Sequence, residues 1–443
     1  MTVIKRLIIA AVAIWAACAP SLASAQPAVI RDAEIEDIIR GYATPLLQAA
    51  GISPGDVDLI LVNDEGINAF VAGGQNIFIY TGLLRKAGGP DEVIGVIAHE
   101  AGHIAGGHIA RLGAEVEKAS AEMLLSAVLG IAAAIASGRG DVGAAVALGG
   151  QGAAVKGLLA HTRVQESAAD QAAFKYLEGS NRSAAGFVDL LQRLVDQELV
   201  SARYQDDYVR THPLSRDRLD TAKAFMARTR KAGKTASPEE LARFARMQAK
   251  LAGFMDPPQR TLDQYIGDDP NARYARSIAH YRRGDLARAI PLVDSLIEAE
   301  PTNPFLHELK GQMLFENARA EAAVEAYELA VKYRPNDPAI LEPAARALME
   351  TGRPEAGQRA VEMLRLVVLR EPRNPGAWRQ LGIAYGKQGN IGDASVALAE
   401  AAMLRGQKPE AVMHARRAQA NLSQGSTGWL KAEDILQTAK PLE

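Results

Sequence analysis

The stretch Asp91-Glu92-Val93-Ile94-Gly95-Val96-Ile97-Ala98-His99-Glu100-Ala101-Gly102-His103 carries most of what this chain discloses about itself. It follows Pro90 and is apolar up to Ala98, a pattern that predicts a buried helix. His99 and His103 are four residues apart and share one face of that helix, one turn apart. Both imidazoles can therefore reach one metal ion. Glu100 projects roughly 100° further round, so it can approach a metal-held water without ligating the metal. Zinc brings the pKa of such a water to about 7, and a glutamate can then act as general base in peptide hydrolysis. The plainer reading makes both histidines ordinary polar positions. Against it, burying two imidazoles is costly unless they are bonded or ligating. Three of the chain's eight histidines also fall between positions 99 and 108.

A catalytic zinc commonly takes three protein ligands and keeps one position open. His108 is one candidate for the third. On a continuous helix it lies about 140° from His103, and it falls one residue short of the H-E-x-x-H-x-x-G-x-x-H spacing. It is read as a helix-end or outer histidine. Glu166, in Arg163-Val164-Gln165-Glu166-Ser167-Ala168-Ala169-Asp170, is the better candidate. Glu166 and Asp170 are four apart on one helix face, so Glu166 can ligate while Asp170 accepts a hydrogen bond from the outer nitrogen of a ligand histidine. An exposed acidic face is the alternative. Ala168, Ala169, Ala172, Ala173 and Phe174 around the pair argue for partial burial.

These segments join Thr211-His212-Pro213-Leu214-Ser215-Arg216-Asp217-Arg218-Leu219 and, upstream, Asn68-Ala69-Phe70, Gly73-Gly74 and Ile77 to Leu84. Together they resemble the peptidase family of HtpX, the Ste-type CAAX proteases and BepA, over roughly residues 30 to 225. The resemblance implies a zincin-like domain with one Zn²⁺ per chain, held by His99, His103 and Glu166, with Glu100 as base and Asp170 behind a ligand. It places His212 close to the metal, in the open position or steadying the transition state, with Arg216 or Arg218 stabilising an oxyanion or gating access. From sequence alone His212 is a histidine in an extended or turn segment before Pro213.

Asp58 to Val62, Ala69 to Val71 and Asn76 to Tyr80 read as short strands, because β-branched and aromatic residues dominate them. Gly73-Gly74 supplies the turn between the last two. A strand leading into the metal helix could hold an extended peptide by edge pairing. Ile77, Phe78 and Ile79 are the residues expected there. An ordinary small sheet packing the helix is the simpler reading.

Lys5-Arg6, the apolar run Leu7 to Ala17 and Ala23-Ser24-Ala25 form a secretory leader cleaved after Ala25. Trp15-Ala16-Ala17-Cys18 is the alternative, a poor lipoprotein box. Cleavage after Ala25 removes the single cysteine, so the mature chain has no thiol and forms no disulfide. It also takes the formal charge from −2 to −4, and nothing in that balance points to nucleic acid. Export to the periplasm follows if the cell is Gram-negative. Residues 120 to 160 are almost wholly apolar, yet each half falls short of the ~20 residues a spanning helix needs. They read as a helical hairpin packed over the site as a lid, or as one making peripheral contact with a membrane or a greasy substrate.

Beyond residue 270 the chain repeats. Pro301-Thr302-Asn303-Pro304, Pro335-Asn336-Asp337-Pro338 and Pro372-Arg373-Asn374-Pro375 recur at 34 and 37 residues. The first interval is the tetratricopeptide period, and Trp378-Arg379-Gln380-Leu381-Gly382-Ile383-Ala384-Tyr385 fits its signature. Ala289, Ala323, Ala360 and Ala394 fall where paired helices touch. Three extra residues in the third unit are expected in its turn, near Gly352-Arg353-Pro354. Four repeats to about residue 406 and a degenerate fifth pair give a solenoid with a concave surface for peptides or protein partners. A scaffold that only packs on the preceding domain is the alternative.

The expected fold is α+β and mainly helical. A leader (1–25) precedes a zinc metalloprotease domain with a small sheet (26–230), a linker helix (231–269) and an all-α tetratricopeptide solenoid (270–443). The resemblance implies unfolded or misassembled outer-membrane proteins as substrates and the β-barrel assembly machinery as partner of the repeats. A different class of function, a tetratricopeptide chaperone or binding scaffold with latent protease activity, stays open if His212 fills the fourth metal position. A purely structural zinc site leaves Glu100 unexplained and lacks the usual cysteines.

Overall fold

A computed structural model describes residues 29–108, 111, 163–195, 208, 212, 216–228 and 233–439. The leader and the apolar stretch 120–160 lie outside the described residues. Four strands form one sheet: β1 (Val29–Ile30), β2 (Leu59–Val62), β3 (Ala69–Ala72) and β4 (Asn76–Tyr80), in the order β1-β2-β4-β3. β3 and β4 are an antiparallel hairpin turned by Gly73 and Gly74 at φ 60° and 103°. β4 runs parallel to β2, with Leu59 opposite Ile77. Val71, Ile77 and Ile79 face the core, while Phe70 and Phe78 stack on the other face at 5.0 Å. The two-residue strand β1, antiparallel to β2, is an element the sequence reading did not anticipate.

The sheet packs against α1 (Ala33–Ala49), capped by Asp32, whose side chain accepts from the Ile35 N–H, and leads through α2 (Thr81–Lys86) into α3 (Pro90–Gly106). Pro90 opens α3 as its first residue and Gly107 closes it in the left-handed conformation. α3 is buried along nearly its whole length, because sheet, α1 and later helices surround it. Those helices are α4 (163–179) and α5 (Ala185–Val195); α6 (Arg216–Arg228) packs behind them, its Phe225 stacked on Phe174 of α4. α3 and α4 approach so closely at Gly102 that a Cβ there would sit 2.8 Å from the Ala169 carbonyl oxygen. That contact brings His99 and His103 against Glu166.

The helix expected as a linker is α7 (Pro238–Met255). It begins with a capping box in which Ser237 and Glu240 each satisfy the other's backbone N–H. Its Phe244, Met247 and Leu251 belong to the same core as the sheet, while Gly253 abuts Ile278 of the first repeat helix. It therefore packs into both halves of the molecule. α8 (Pro258–Gln264) follows.

Five helix pairs follow among the described residues: α9 (Pro270–Arg282) with α10 (Leu286–Ala299), α11 (Pro304–Glu316) with α12 (Ala320–Tyr333), α13 (Pro338–Glu350) with α14 (Pro354–Arg370), α15 (Pro375–Lys387) with α16 (Ile391–Leu404), and α17 (Lys408–Asn421) with α18 (Thr427–Thr438). Ala289, Ala323, Ala360 and Ala394 are buried between paired helices. The extra residues of the third unit are not in its turn. α14 is a helix of 17 residues where α10, α12 and α16 have 14, and the turn before it, 351–353, is no longer than the others.

The solenoid grips the first domain. Ala33 sits in the solenoid's own apolar cluster. Arg31 bridges Glu36 and Glu371, and Asp37 pairs with both Arg243 and Arg334. Deeper, the Lys250 ammonium, 1% exposed, lies 2.8 Å from Asp32 and 3.3 Å from Glu34. Glu34 also accepts from the Tyr274 hydroxyl at 2.6 Å. Beside these contacts a cavity of about 660 Å³ separates Arg31 and Ile35 from Glu308, Gln312, Glu342 and Arg346 of α11 and α13. That face of the repeats is turned onto the first domain. No helix among the described residues is long and apolar enough to cross a membrane.

Candidate active site

α3 presents His99 and His103, α4 presents Glu166, and the segment after α5 brings back His212; all four are buried and could hold one metal ion. His99 Nε2 lies 3.0 Å from His103 Nε2, 3.3 Å from His212 Nδ1 and 3.3 Å from Glu166 Oε2. Glu166 Oε1 is 3.4 Å from His103 Nε2, and Oε2 is 3.2 Å from His212 Nδ1. Four donors at metal bonds of about 2.0–2.1 Å in a tetrahedron stand about 3.3 Å apart. The separations here cluster round that edge length. Three imidazoles and a carboxylate are also a zinc-type donor set. At the cluster the buried charges are the Arg218 guanidinium against the carboxylates of Glu100, Glu166 and Asp170. A bound cation would offset that excess of negative charge.

Each imidazole has its own outer partner. His99 Nδ1 faces Asp170 Oδ1 at 2.9 Å, His103 Nδ1 faces His108 Nδ1 at 3.1 Å, and His212 Nε2 faces the Ala69 carbonyl of β3 at 3.1 Å. Such partners fix tautomer and ring orientation. His108 thus stands behind a histidine and outside the four-donor group, as its spacing suggested. Tyr208 stacks on the His212 ring with centroids 4.7 Å apart, and its backbone N–H donates to the Ile67 carbonyl at 2.9 Å.

Electrostatics follow from burial and these neighbours. Burial pulls the His99 imidazole down, but the Asp170 and Glu166 carboxylates outweigh it and hold the ring up to about 9. His103 goes the other way, to about 4, because burial outweighs Glu166 and the neighbouring imidazoles disfavour its charge. Burial raises the Glu100 carboxyl, an effect the His212 and His99 rings only partly oppose. Burial works against ionised Glu166 as well, yet the three imidazoles keep it well below the usual range. Among the described residues Glu100 finds no hydrogen-bond partner for either oxygen; His212 Nε2 is 3.5 Å away. A buried carboxylate of raised basicity beside a metal-type cluster is suited to taking a proton.

Residues 30–226 match the model described as peptidase family M48. This chain carries an M48 peptidase domain. Residues 259–304 and 274–339 match tetratricopeptide repeat, so the M48 domain is followed by such repeats. Family M48 is a metallopeptidase family, in keeping with the cluster on α3 and α4. The chain is 25% identical to a beta-barrel assembly-enhancing protease of Yersinia pestis over 377 residues, 83% of this chain and 75% of that one. It is 23% identical to the protein of the same name in Escherichia coli K12 over 305 residues, 67% of this chain but only 61% of the relative's length. Among solved structures it is similar to MamA, at 16% identity, over 37% of this chain and 91% of that one, with a TM-score of 0.29.

Two expectations about the M48 domain change with the structure. Ile77, Phe78 and Ile79 lie on β4, which is paired on both sides, with β2 and with β3. Its main chain has no edge to offer, and Ile77 and Ile79 point into the core. Among the described residues the outer edge beside the cluster belongs to β3, where His212 Nε2 meets the Ala69 carbonyl, while the Tyr208 N–H donates to the Ile67 carbonyl just ahead of the strand. The hairpin was legible from its residues, but the order of its strands in the sheet was not. The second change concerns the arginines. Arg216 is exposed, while Arg218 is buried and paired with Asp170 and Glu166. Their spacing from Pro213 carried no sign of which would turn inward.

Proposed function

We propose that this chain is a zinc-dependent endopeptidase of the periplasm that acts on unfolded or misassembled outer-membrane proteins, its repeats engaging the β-barrel assembly machinery. The observation that carries the reading is the donor spacing near 3.3 Å together with an unbonded, buried Glu100 beside it. The names of the relatives support the substrate class, and the leader-like N-terminus supports the compartment. His99, His103 and Glu166 would hold the ion. When bound, zinc supplies Lewis acidity at the scissile carbonyl and acidifies water. Glu100 takes the proton from the attacking water and returns it to the leaving amine. Asp170 and His108 keep the imidazoles aimed. An extended substrate would pair with β3 once its carbonyls are released.

A second reading is favoured by His212 itself. Its Nδ1 lies 3.2 Å from Glu166 Oε2 and its Nε2 meets the Ala69 carbonyl of β3, so with a metal held by the other three residues this ring would fill the open position and block the substrate strand. A resting, latent enzyme with a chaperone-like solenoid follows from that arrangement. One assay separates the readings: digestion of an unfolded outer-membrane barrel protein by wild type, by wild type with chelator, by Glu100→Gln and by His212→Ala. The endopeptidase reading expects cleavage by wild type that chelator and Glu100→Gln abolish. The latent reading expects little cleavage by wild type and a gain in His212→Ala. No cleavage by any of them, with zinc bound, would overturn both.

A further inference from the structure

Arg218 is 6% exposed and spends its donors on the surroundings of the cluster. Nε donates to Asp170 Oδ2 at 2.7 Å and Nη2 to Asp170 Oδ1 at 2.8 Å, the two-pronged geometry that only a guanidinium provides. Nη1 stands 3.0 Å from Glu166 Oε2 and 3.5 Å from the His212 carbonyl oxygen. One side chain therefore contacts the group behind His99, the carboxylate donor and the backbone of the fourth residue.

We infer that Arg218 is a positioning residue for the metal: it locks the Asp170 carboxylate in the plane that aims Oδ1 at His99 Nδ1, and tethers Oε2 of Glu166. The first contact keeps the proton of His99 on Nδ1, leaving the Nε2 lone pair for the ion. The second restrains the rotation of the Glu166 carboxylate, so that its orientation is set before the ion arrives. This inference rests on the metallopeptidase reading above.

The sign of one measurement tests it. A guanidinium about 3 Å from a carboxylate donor repels a bound cation. If Arg218 were only a charge, its removal would tighten metal binding. If it positions ligands, removal weakens binding, by about 10–100-fold as for other groups that orient metal ligands. Zinc affinity of the full mature chain is measured by chelator competition for wild type, Arg218→Met and Arg218→Lys, with the visible spectrum of the cobalt-loaded forms. Leu219→Ala, which removes buried apolar volume on the same helix, controls for general destabilisation.

The expected result is weaker zinc binding in Arg218→Met and an altered cobalt spectrum. Arg218→Lys, which keeps the charge but not the fork, should restore affinity only in part. Leu219→Ala should lower the melting temperature and leave zinc affinity as in wild type. Unchanged or tighter binding in Arg218→Met, or full rescue by lysine, overturns the inference. Arg218→Lys alone decides if the methionine variant does not fold. A wild-type chain that binds no zinc removes the metallopeptidase reading itself, an outcome distinct from any difference between variants.

Discussion

The imidazoles of the cluster are aimed by three different chemistries: a carboxylate behind His99, a second imidazole behind His103 and a backbone carbonyl behind His212. The inner pattern was legible because two histidines four apart on a helix must share a face. Glu166 and Asp170 were legible for the same reason. The spacing of His108 already marked it as an outer histidine, whereas the parts played by the Ala69 carbonyl and by Arg218 were not legible, since nothing local ties them to the residues they hold. Elsewhere a residue pair gives a pH test. The hydrogen bond from Arg182, opposed only in part by burial, holds the Glu240 carboxyl at about 2, below its ordinary 4.5. A depressed carboxyl stabilises the fold fully above its unfolded value and loses that contribution as pH falls through the folded one. Arg182→Met should therefore melt below wild type at neutral pH, and the gap should close as pH falls from about 4.5 toward 2. Thermal melts across that range check it; a gap that widens in acid would contradict it.

Strands, the metal helix and the repeats were legible as elements because their periodicities differ: two residues in β3 and β4, three to four in α3, thirty-four in the solenoid. Their arrangement was less so. The order of strands, which gives the free edge to β3, depends on a parallel pairing of β2 with β4 that no local pattern announces. The length of α14 shows the same limit, since three extra residues can extend a helix as readily as a turn. Gly102 is the element-scale feature that the H-E-A-G-H motif contains but does not explain. A methyl group there would press on the Ala169 backbone. Gly102→Ala should cost about 1–3 kcal/mol, the usual range for overpacking, and should weaken zinc binding by spreading α3 from α4. Urea denaturation and chelator competition measure the two effects; an unchanged zinc affinity with lowered stability would detach the glycine from the site.

At the scale of the molecule, the repeats and the M48 domain are joined through charges far apart in sequence, such as Arg31 with Glu371. Sequence reading could name both halves but not this seam, and it left open whether the concave face receives a partner or the chain's own first domain. In the structure Glu308 and Gln312 of α11 and Glu342 and Arg346 of α13 line a cavity with residues near the start of α1. Lys250 is the buried centre of the seam. Lys250→Met would leave Asp32 without its buried cation and Glu34 with Arg246 alone, and should cost about 3 kcal/mol in a denaturant titration. A loss below 1 kcal/mol would mean that water replaces the ammonium and that the seam is looser than it stands here. The central claim is that three buried ligands hold a metal for Glu100 to use. The most direct test is metal content and barrel-protein hydrolysis measured on the same preparations of wild type and Glu100→Gln. One zinc per chain is expected in both, and hydrolysis in wild type alone. Glu100→Gln hydrolysing at the wild-type rate, or wild type hydrolysing equally well after its zinc is stripped, would contradict that claim.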